Sequence, residues 1–156
     1  MTTIDPRPVN PNAIGEQDAA VLARFEDRLP PYARTLGIAI VGLVDGAPLV
    51  AVDPDSRMLG RPGFVHGGAL SGLLEMAAIL ALHAELAQRG EARRLKPVNV
   101  SIEFLRGAKL ERCFALGRVT RAGRRIANVT AEAWQQDRTK PVAEAWMNIL
   151  LADPKD

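Results

Sequence analysis

Residues 63–82 read Gly-Phe-Val-His-Gly-Gly-Ala-Leu-Ser-Gly-Leu-Leu-Glu-Met-Ala-Ala-Ile-Leu-Ala-Leu, and this stretch decides the fold. It is almost entirely apolar, apart from one carboxylate, Glu75, and from His66, which precedes two glycines. A helix that is apolar nearly all round is enclosed on most sides by the rest of its protein. Because an ionised carboxylate is costly to keep in apolar surroundings, we expect Glu75 to have a partner or a chemical role.

Length and composition favour one soluble domain. The chain has 156 residues, which is enough to bury a sizeable core in a single unit. Its net charge of +2 and its aromatic content of 4% are too low to favour a nucleic-acid partner. Cys113 is the only cysteine, so an internal disulfide is excluded, and a reducing, cytoplasmic location is expected.

The apolar run at residues 69–87 is long enough to suggest a membrane span. Glu75, His83 and Glu85 lie within it, and ionisable groups are costly inside a bilayer. Residues 1–12 also lack the basic region and apolar run of a secretory signal. The sequence therefore predicts a buried helix and no membrane partner.

Periodicity along the chain predicts a flexible arm at 1–15 and a single domain at 16–156. A short amphipathic helix is expected at 16–29, and the central helix at 67–87, capped by Gly90. Strand patterns cover 36–44, 47–52, 98–105, 112–120, 125–135 and 142–151, with Asp45-Gly46 as a hairpin turn. This order predicts an α+β protein in which an antiparallel sheet wraps around one helix, the arrangement of the hotdog fold.

The stretch Phe64-Val65-His66-Gly67-Gly68-Ala69-Leu70, followed by Leu73-Leu74-Glu75, resembles the signature of one hotdog family. It is similar to the acyl-CoA thioesterases of the phenylacetate-degradation (PaaI) type, in which an acidic residue follows His-Gly-Gly by two helical turns. The similarity continues through 98–106 and 121–127 and covers roughly residues 32–151. It implies hydrolysis of an acyl-CoA, with coenzyme A as part of the substrate and no further cofactor.

The chain departs from the family pattern at two positions. Gly60 stands where the family often has Asn or Gln, and we count it with the candidate substrate-binding positions. Pro97 stands where the family tends to have Ser or Thr at the start of the strand after the helix. A protein that binds acyl-CoA without hydrolysing it therefore remains an alternative. A hotdog enoyl-CoA hydratase or dehydratase is less favoured, because no second motif pairs a histidine with a carboxylate.

Thioester hydrolysis needs a donor for the developing oxyanion and a carboxylate that acts as base or nucleophile. Backbone N–H groups at the start of a helix are unpaired and lie at the positive end of its dipole. Gly67 is therefore predicted to be the oxyanion donor, with Gly68 in contact with the substrate. Glu75 is predicted to be the general base or the nucleophile, and the residues leave this choice open.

Spacing along the central helix predicts the assembly. Gly67 and Glu75 are two turns apart, or about 12 Å along the axis, so one carbonyl cannot contact both at about 3 Å. If both act, they come from different subunits. We therefore expect a homodimer with composite sites at its interface, and the resemblance implies the same, often with dimers paired into tetramers.

Several residues have a structural interpretation as well. His66 is expected to orient the turn by a hydrogen bond rather than to transfer a proton, although it is a candidate catalytic residue. Ser71 lies one turn before Glu75 and could bind substrate or its own helix. Glu75 could also be a structural carboxylate in a buried interface pair. With two histidines seventeen residues apart and no cysteine pair, no metal site is expected.

Basic residues gather in two regions after the central helix. Arg106 and Lys109 follow one predicted strand, and Arg121, Arg124 and Arg125 surround the next turn. Guanidinium and ammonium groups bind the phosphates of coenzyme A well, and the family uses basic residues in these regions. These five residues are predicted to bind substrate, with a solvated turn as the alternative.

Overall fold

The computed structural model describes residues 16–155, so the predicted arm at 1–15 lies outside the described residues. The helices are α1 (Glu16–Glu26), α2 (Pro31–Leu36) and α3 (Gly67–Gln88), and the strands are β1 (Ala39–Val44), β2 (Ala47–Val52), β3 (Arg94–Phe104), β4 (Cys113–Ala122), β5 (Ile126–Trp134) and β6 (Ala143–Ala152). The strands form one antiparallel sheet in the order β1-β2-β4-β5-β6-β3. The predicted hotdog fold is confirmed.

The sheet packs closely against α3, whose apolar residues fill the core. Leu73, Leu74 and Leu82 are fully buried. At Gly117 the sheet comes so near that an added Cβ would overlap the Ala77 carbonyl and lie 2.8 Å from the Ala81 Cβ. The helix has the length and hydropathy of a membrane span, but 67% of its most apolar window is buried inside the protein. The prediction of a buried core helix is confirmed.

The C-terminal end of α3 is closed by a Schellman motif. Gly90 has φ of 69° and donates its N–H to the Ala87 carbonyl at 3.1 Å, while the Glu91 N–H reaches the Leu86 carbonyl at 2.9 Å. Glycine adopts this left-handed conformation without steric cost. The predicted cap at Gly90 is confirmed.

The start of the sheet differs from the prediction. Residues 31–36 form the helix α2, and β1 begins at Ala39 rather than at residue 36. Pro31 stands in the first turn of α2, where its missing N–H leaves no bond unmade, and Gly37 ends the helix in the left-handed conformation with φ of 72°. Helix α1 ends at Glu26, three residues before the predicted end at residue 29, and the prolines begin a second helix instead of ending the first.

Strand β3 lies at one edge of the sheet. It begins at Arg94, four residues before the predicted start, and pairs with β6 alone, with a bulge between Pro97 and Asn99. An edge strand tolerates a proline because it has no partner on one side. Val98, Val100 and Phe104 of β3 are exposed, with exposed fractions of 63%, 44% and 56%.

Candidate active site

The loop that leads into α3 is fixed by backbone hydrogen bonds to its neighbours. The His66 N–H donates to the Met58 carbonyl at 2.7 Å, and the Val65 N–H donates to the Ala108 carbonyl at 2.8 Å. Leu59 and Val65 also form a bridge across the loop. The first turn of α3 therefore has a defined position relative to the loop that follows β3.

His66 is the N-cap of α3. Its backbone is extended, with φ of −63° and ψ of 137°, and its Nδ1 accepts a hydrogen bond from the Gly68 N–H at 2.8 Å. Because Nδ1 is the acceptor, the ring proton of the neutral imidazole lies on Nε2. The hydrogen bond expected of a His66 that orients the turn is present.

This cap leaves one backbone donor of the first turn without an acceptor. The N–H groups of Ala69 and Leu70 both donate to the His66 carbonyl, at 3.0 Å and 3.3 Å, and the imidazole takes the Gly68 N–H. Among the described residues, no group accepts a hydrogen bond from the Gly67 N–H. That donor lies at the positive end of the helix dipole, where a negative oxygen is stabilised.

Both glycines of the turn stand where a side chain would collide. A Cβ on Gly67 would lie 3.0 Å from the ring of Phe104, and a Cβ on Gly68 would lie 2.9 Å from the Nδ1 of His66. A side chain at position 68 would thus crowd the capping hydrogen bond itself. Phe104, which reaches over Gly67 from β3, is a site residue that the sequence did not indicate.

Glu75 lies two turns further along α3 and is half-buried. Within residues 16–155, its carboxylate makes no salt bridge, so this region provides no structural ion pair for it. The helix holds it about 12 Å along the axis from Gly67. Within one chain, the two groups therefore do not converge on a single atom.

Three other groups near α3 have structural positions. The Ser71 hydroxyl donates to the Gly67 carbonyl at 2.7 Å, so it is bonded to its own helix. Burial, together with the nearby Arg28, lowers the pKa of His83 to about 4, which keeps that imidazole neutral at pH 7. Burial raises the pKa of the Cys113 thiol to about 11, so a thiolate nucleophile is disfavoured there.

The predicted substrate-binding residues divide between the two ends of α3. Lys109 pairs with Phe64 in a β-bridge, which brings it and the neighbouring Arg106 beside the loop before His66. Gly60 belongs to the same end, because a Cβ placed on it would lie 3.2 Å from the His66 Cα. Arg61, which the sequence analysis missed, places its guanidinium 4.1 Å from the centre of the Phe64 ring.

Arg121, Arg124 and Arg125 lie at the other end of the helix. The side chain of Arg89, just after α3, donates to the Ala122 carbonyl at 3.4 Å, which fixes the β4–β5 turn there. Twenty-two helical residues separate this end from Gly67, or about 33 Å. Within one chain, the structure therefore does not bring these three arginines together with Gly67.

The comparisons with known proteins agree with this architecture. The family model of the thioesterase superfamily matches residues 62–142. A Chromobacterium violaceum protein of known structure is 30% identical over 86% of this chain and 98% of its own, with a TM-score of 0.64. A phenylacetic acid degradation-related protein from Ralstonia eutropha JMP134 is 29% identical over 85% of this chain and 97% of its own, with a TM-score of 0.69.

A conserved protein from Pseudomonas aeruginosa is 28% identical over 81% of this chain and 97% of its own, with a TM-score of 0.72. No curated protein matches the sequence significantly. The family match covers more than half of the chain and includes the His66 cap, Gly67 and Glu75. The chain belongs to the thioesterase superfamily, among the hotdog-fold thioesterases that resemble the phenylacetate-degradation (PaaI) type.

Proposed function

We propose that the protein is a cytoplasmic, homo-oligomeric acyl-CoA thioesterase that releases a free acid and coenzyme A. The observation that carries this proposal is the N–H of Gly67, at the start of α3, for which no described residue provides an acceptor. The same helix carries Glu75, which makes no salt bridge among the described residues. Membership of the thioesterase superfamily supports thioester hydrolysis in general. The coenzyme A ester and the residue roles are proposals.

In the proposed reaction, the Gly67 N–H binds the thioester carbonyl oxygen as it gains negative charge. Glu75 then acts in one of two ways. As a general base, it takes a proton from the water that attacks the carbonyl carbon; as a nucleophile, it attacks the carbon itself and forms an anhydride that water hydrolyses. In both cases the C–S bond breaks, and the thiolate of coenzyme A leaves and takes up a proton.

The two groups can meet at one carbonyl when they come from two protomers. Strand β3 supports such a pairing, because its outer edge is unpartnered within the described residues and Val98, Val100 and Phe104 are exposed. Edge strands of this kind pair readily with another chain. We propose that β3 of a second copy covers this edge and brings the partner's α3 alongside, with pairing of dimers as a further step.

The phosphates of coenzyme A would be bound by basic residues near the N-terminal end of α3. Arg61, Arg106 and Lys109 are all exposed beside the loop before His66. Arg121, Arg124 and Arg125 are too distant in the same protomer, so in this proposal they act on the site of another subunit. Gly68 and Gly60 would allow close approach of the substrate, since neither places a side chain in the way.

One observation keeps a second function open. Gly60 lies directly against His66 and brings no hydrogen-bonding side chain to the site, in contrast to the family pattern of Asn or Gln. A protein that binds acyl-CoA without turnover would show the same fold and the same anion-binding turn. This alternative predicts tight binding of acyl-CoA esters and no release of thiol.

The experiment that tests the proposal is thiol release from short, medium, long and aryl acyl-CoA esters. The wild type is compared with Glu75→Gln, and with Glu85→Gln as a control, because Glu85 lies on the same helix in a surface salt bridge with Arg89. We expect turnover in the wild type and the control, and its loss by orders of magnitude in Glu75→Gln. Near-normal turnover in Glu75→Gln would refute the assigned role.

Label from water separates the two chemical routes. In a single turnover in labelled water, incorporation of the label into the Glu75 carboxylate would indicate the anhydride. Label in the product acid alone is the result that general-base catalysis predicts.

A further inference from the structure

Helix α2 lies directly on the backbone of α3 at Gly72. A Cβ on Gly72 would be 2.8 Å from the Cδ1 of Leu36, 3.0 Å from the Tyr32 hydroxyl oxygen and 3.1 Å from the Tyr32 Cε1. Tyr32 and Leu36 are four residues apart, so they share one face of α2. The absence of a side chain at position 72 therefore lets the end of the Tyr32 ring rest on α3.

The place where Tyr32 touches α3 adjoins the candidate catalytic residues. Residues three and four apart on a helix are surface neighbours, so Gly72 is adjacent to Glu75 on one side and to Gly68 on the other. The rise from Gly72 to Glu75 is only about 4.5 Å. Tyr32 thus borders the same surface of α3 that carries the proposed carboxylate.

The Tyr32 side chain is open to this surface rather than sealed into the core. Its exposed fraction is 52%. Within the described part of the chain, its hydroxyl has no hydrogen-bond partner, whereas the Thr35 hydroxyl on the same helix donates to the Pro31 carbonyl at 3.1 Å. A half-exposed aromatic ring, next to the surface of α3 that carries Glu75, is suited to contact a bound molecule.

From this juxtaposition we infer that Tyr32 is a specificity-determining residue, which forms the end wall of the acyl site and limits the length of the acyl chain. The inference rests on the proposed thioesterase function. Because Tyr32 and Glu75 belong to one protomer, Tyr32 lies on the Glu75 side of the composite site. An acyl chain that extends from the carbonyl past Glu75 along α3 meets the ring near Gly72.

Tyr32 also lies outside residues 62–142, which are those that the family model matches. That range includes the turn at Gly67 and Glu75 but not Tyr32. In this interpretation, the reacting groups come from the range that the family model matches. The choice of acyl group comes from α2, which packs against α3 at Gly72.

The experiment compares the wild type with Tyr32→Ala, Tyr32→Trp and the control Thr35→Ala, a small change on the same helix. Two readouts are used for each variant: kcat/KM for saturated acyl-CoA esters of increasing length, and Kd for the matching thioether analogues, which cannot be hydrolysed. Circular dichroism checks that each variant is folded. Because Tyr32 is half-exposed, both substitutions are expected to fold.

We expect Tyr32→Ala to raise the ratio of kcat/KM for long esters to that for short esters by about tenfold or more. Removal of the ring leaves space for several more methylene groups of the acyl chain. Tyr32→Trp should lower that ratio, Thr35→Ala should leave it unchanged, and Kd should follow the same order. If the wild type is active and both Tyr32 variants keep its dependence of kcat/KM on acyl-chain length, the inference is overturned while the proposed function stands. A wild type that neither hydrolyses an ester nor binds a thioether would overturn both the inference and the proposed function.

Discussion

The imidazole of His66 and the backbone amide of Gly68 are joined by a hydrogen bond of 2.8 Å, in which Nδ1 is the acceptor. This bond satisfies the second N–H of α3, and the His66 carbonyl satisfies the next two. Gly67 is left with the free donor of the turn. His66 therefore orients the backbone of the turn. The Gly67 N–H is the group that contacts the substrate in the proposed function.

Loss of this cap should weaken both folding and activity. We expect His66→Ala to lower the free energy of unfolding by about 1 kcal/mol, as loss of an N-cap acceptor usually does. His66→Asn should retain most of the stability, because its side-chain oxygen can accept the same bond. Urea denaturation measures the difference, and equal destabilisation of the two variants would contradict the capping role.

The free N–H of Gly67 can be removed without removing the helix. Proline is tolerated at the first helical position, and the extended backbone of His66 is compatible with a following proline. We expect Gly67→Pro to lower kcat by about 10²- to 10³-fold, the usual loss of one oxyanion donor. Gly67→Ala adds the same Cβ against Phe104 but keeps the N–H, so a similar loss in both variants would assign the effect to crowding.

The close approach of the sheet to α3 makes Gly117 sensitive to substitution. An added Cβ would overlap the Ala77 carbonyl, so Gly117→Ala should cost about 1–3 kcal/mol of stability, the range for overpacked cores. Gly42→Ala is the matched control, since its nearest contact on another strand would be an ordinary 3.9 Å. Thermal or urea unfolding measures both, and equal stability of the two variants would argue against the packing.

Stability should depend on pH through His83. Its pKa is lowered to about 4, mainly by burial and partly by Arg28, from an ordinary value of 6.5. Between these two values, the unfolded chain binds more protons than the folded one, so the free energy of unfolding falls as the pH is lowered from about 6.5 to about 4. The loss should be on the order of 1–2 kcal/mol, since the ring is partly exposed to solvent.

The control for this prediction is His83→Gln, which has no titrating side chain at that position. The difference in unfolding free energy between wild type and variant should change across the same pH window and be constant above it. A difference that is independent of pH would show that His83 does not titrate as the burial implies.

Much of the fold follows from local sequence signals. The all-round apolarity of α3 indicates a helix enclosed by other elements, and the alternation in β5 and β6 indicates which faces point inward. The helix α2 could not be predicted in the same way, because six residues carry too little periodicity to be distinguished from a strand. It packs against Gly72, which lies forty residues further along the chain from Tyr32.

Within the candidate site, relative positions could be predicted only for residues that lie close together in the sequence. His66, Gly67, Gly68 and Glu75 lie close together in the sequence, so helical spacing alone relates them. Phe104 and Arg61 reach the site through pairing between distant segments, such as the bridge of Phe64 with Lys109, which no local pattern reveals. Arg121, Arg124 and Arg125 lie in the β4–β5 turn at the far end of α3, and no local pattern reveals that position either.

The central claim is that Gly67 of one protomer and Glu75 of another serve the same carbonyl. Subunit mixing tests it most directly: Gly67→Pro and Glu75→Gln, each inactive alone, are unfolded together, refolded and assayed for thiol release from an acyl-CoA that the wild type hydrolyses. In mixed dimers, one of the two sites regains both groups, so the account predicts recovery of about a quarter of wild-type activity. If the mixture remains as inactive as the separate variants, although mixed dimers are present, the two groups do not act across the interface.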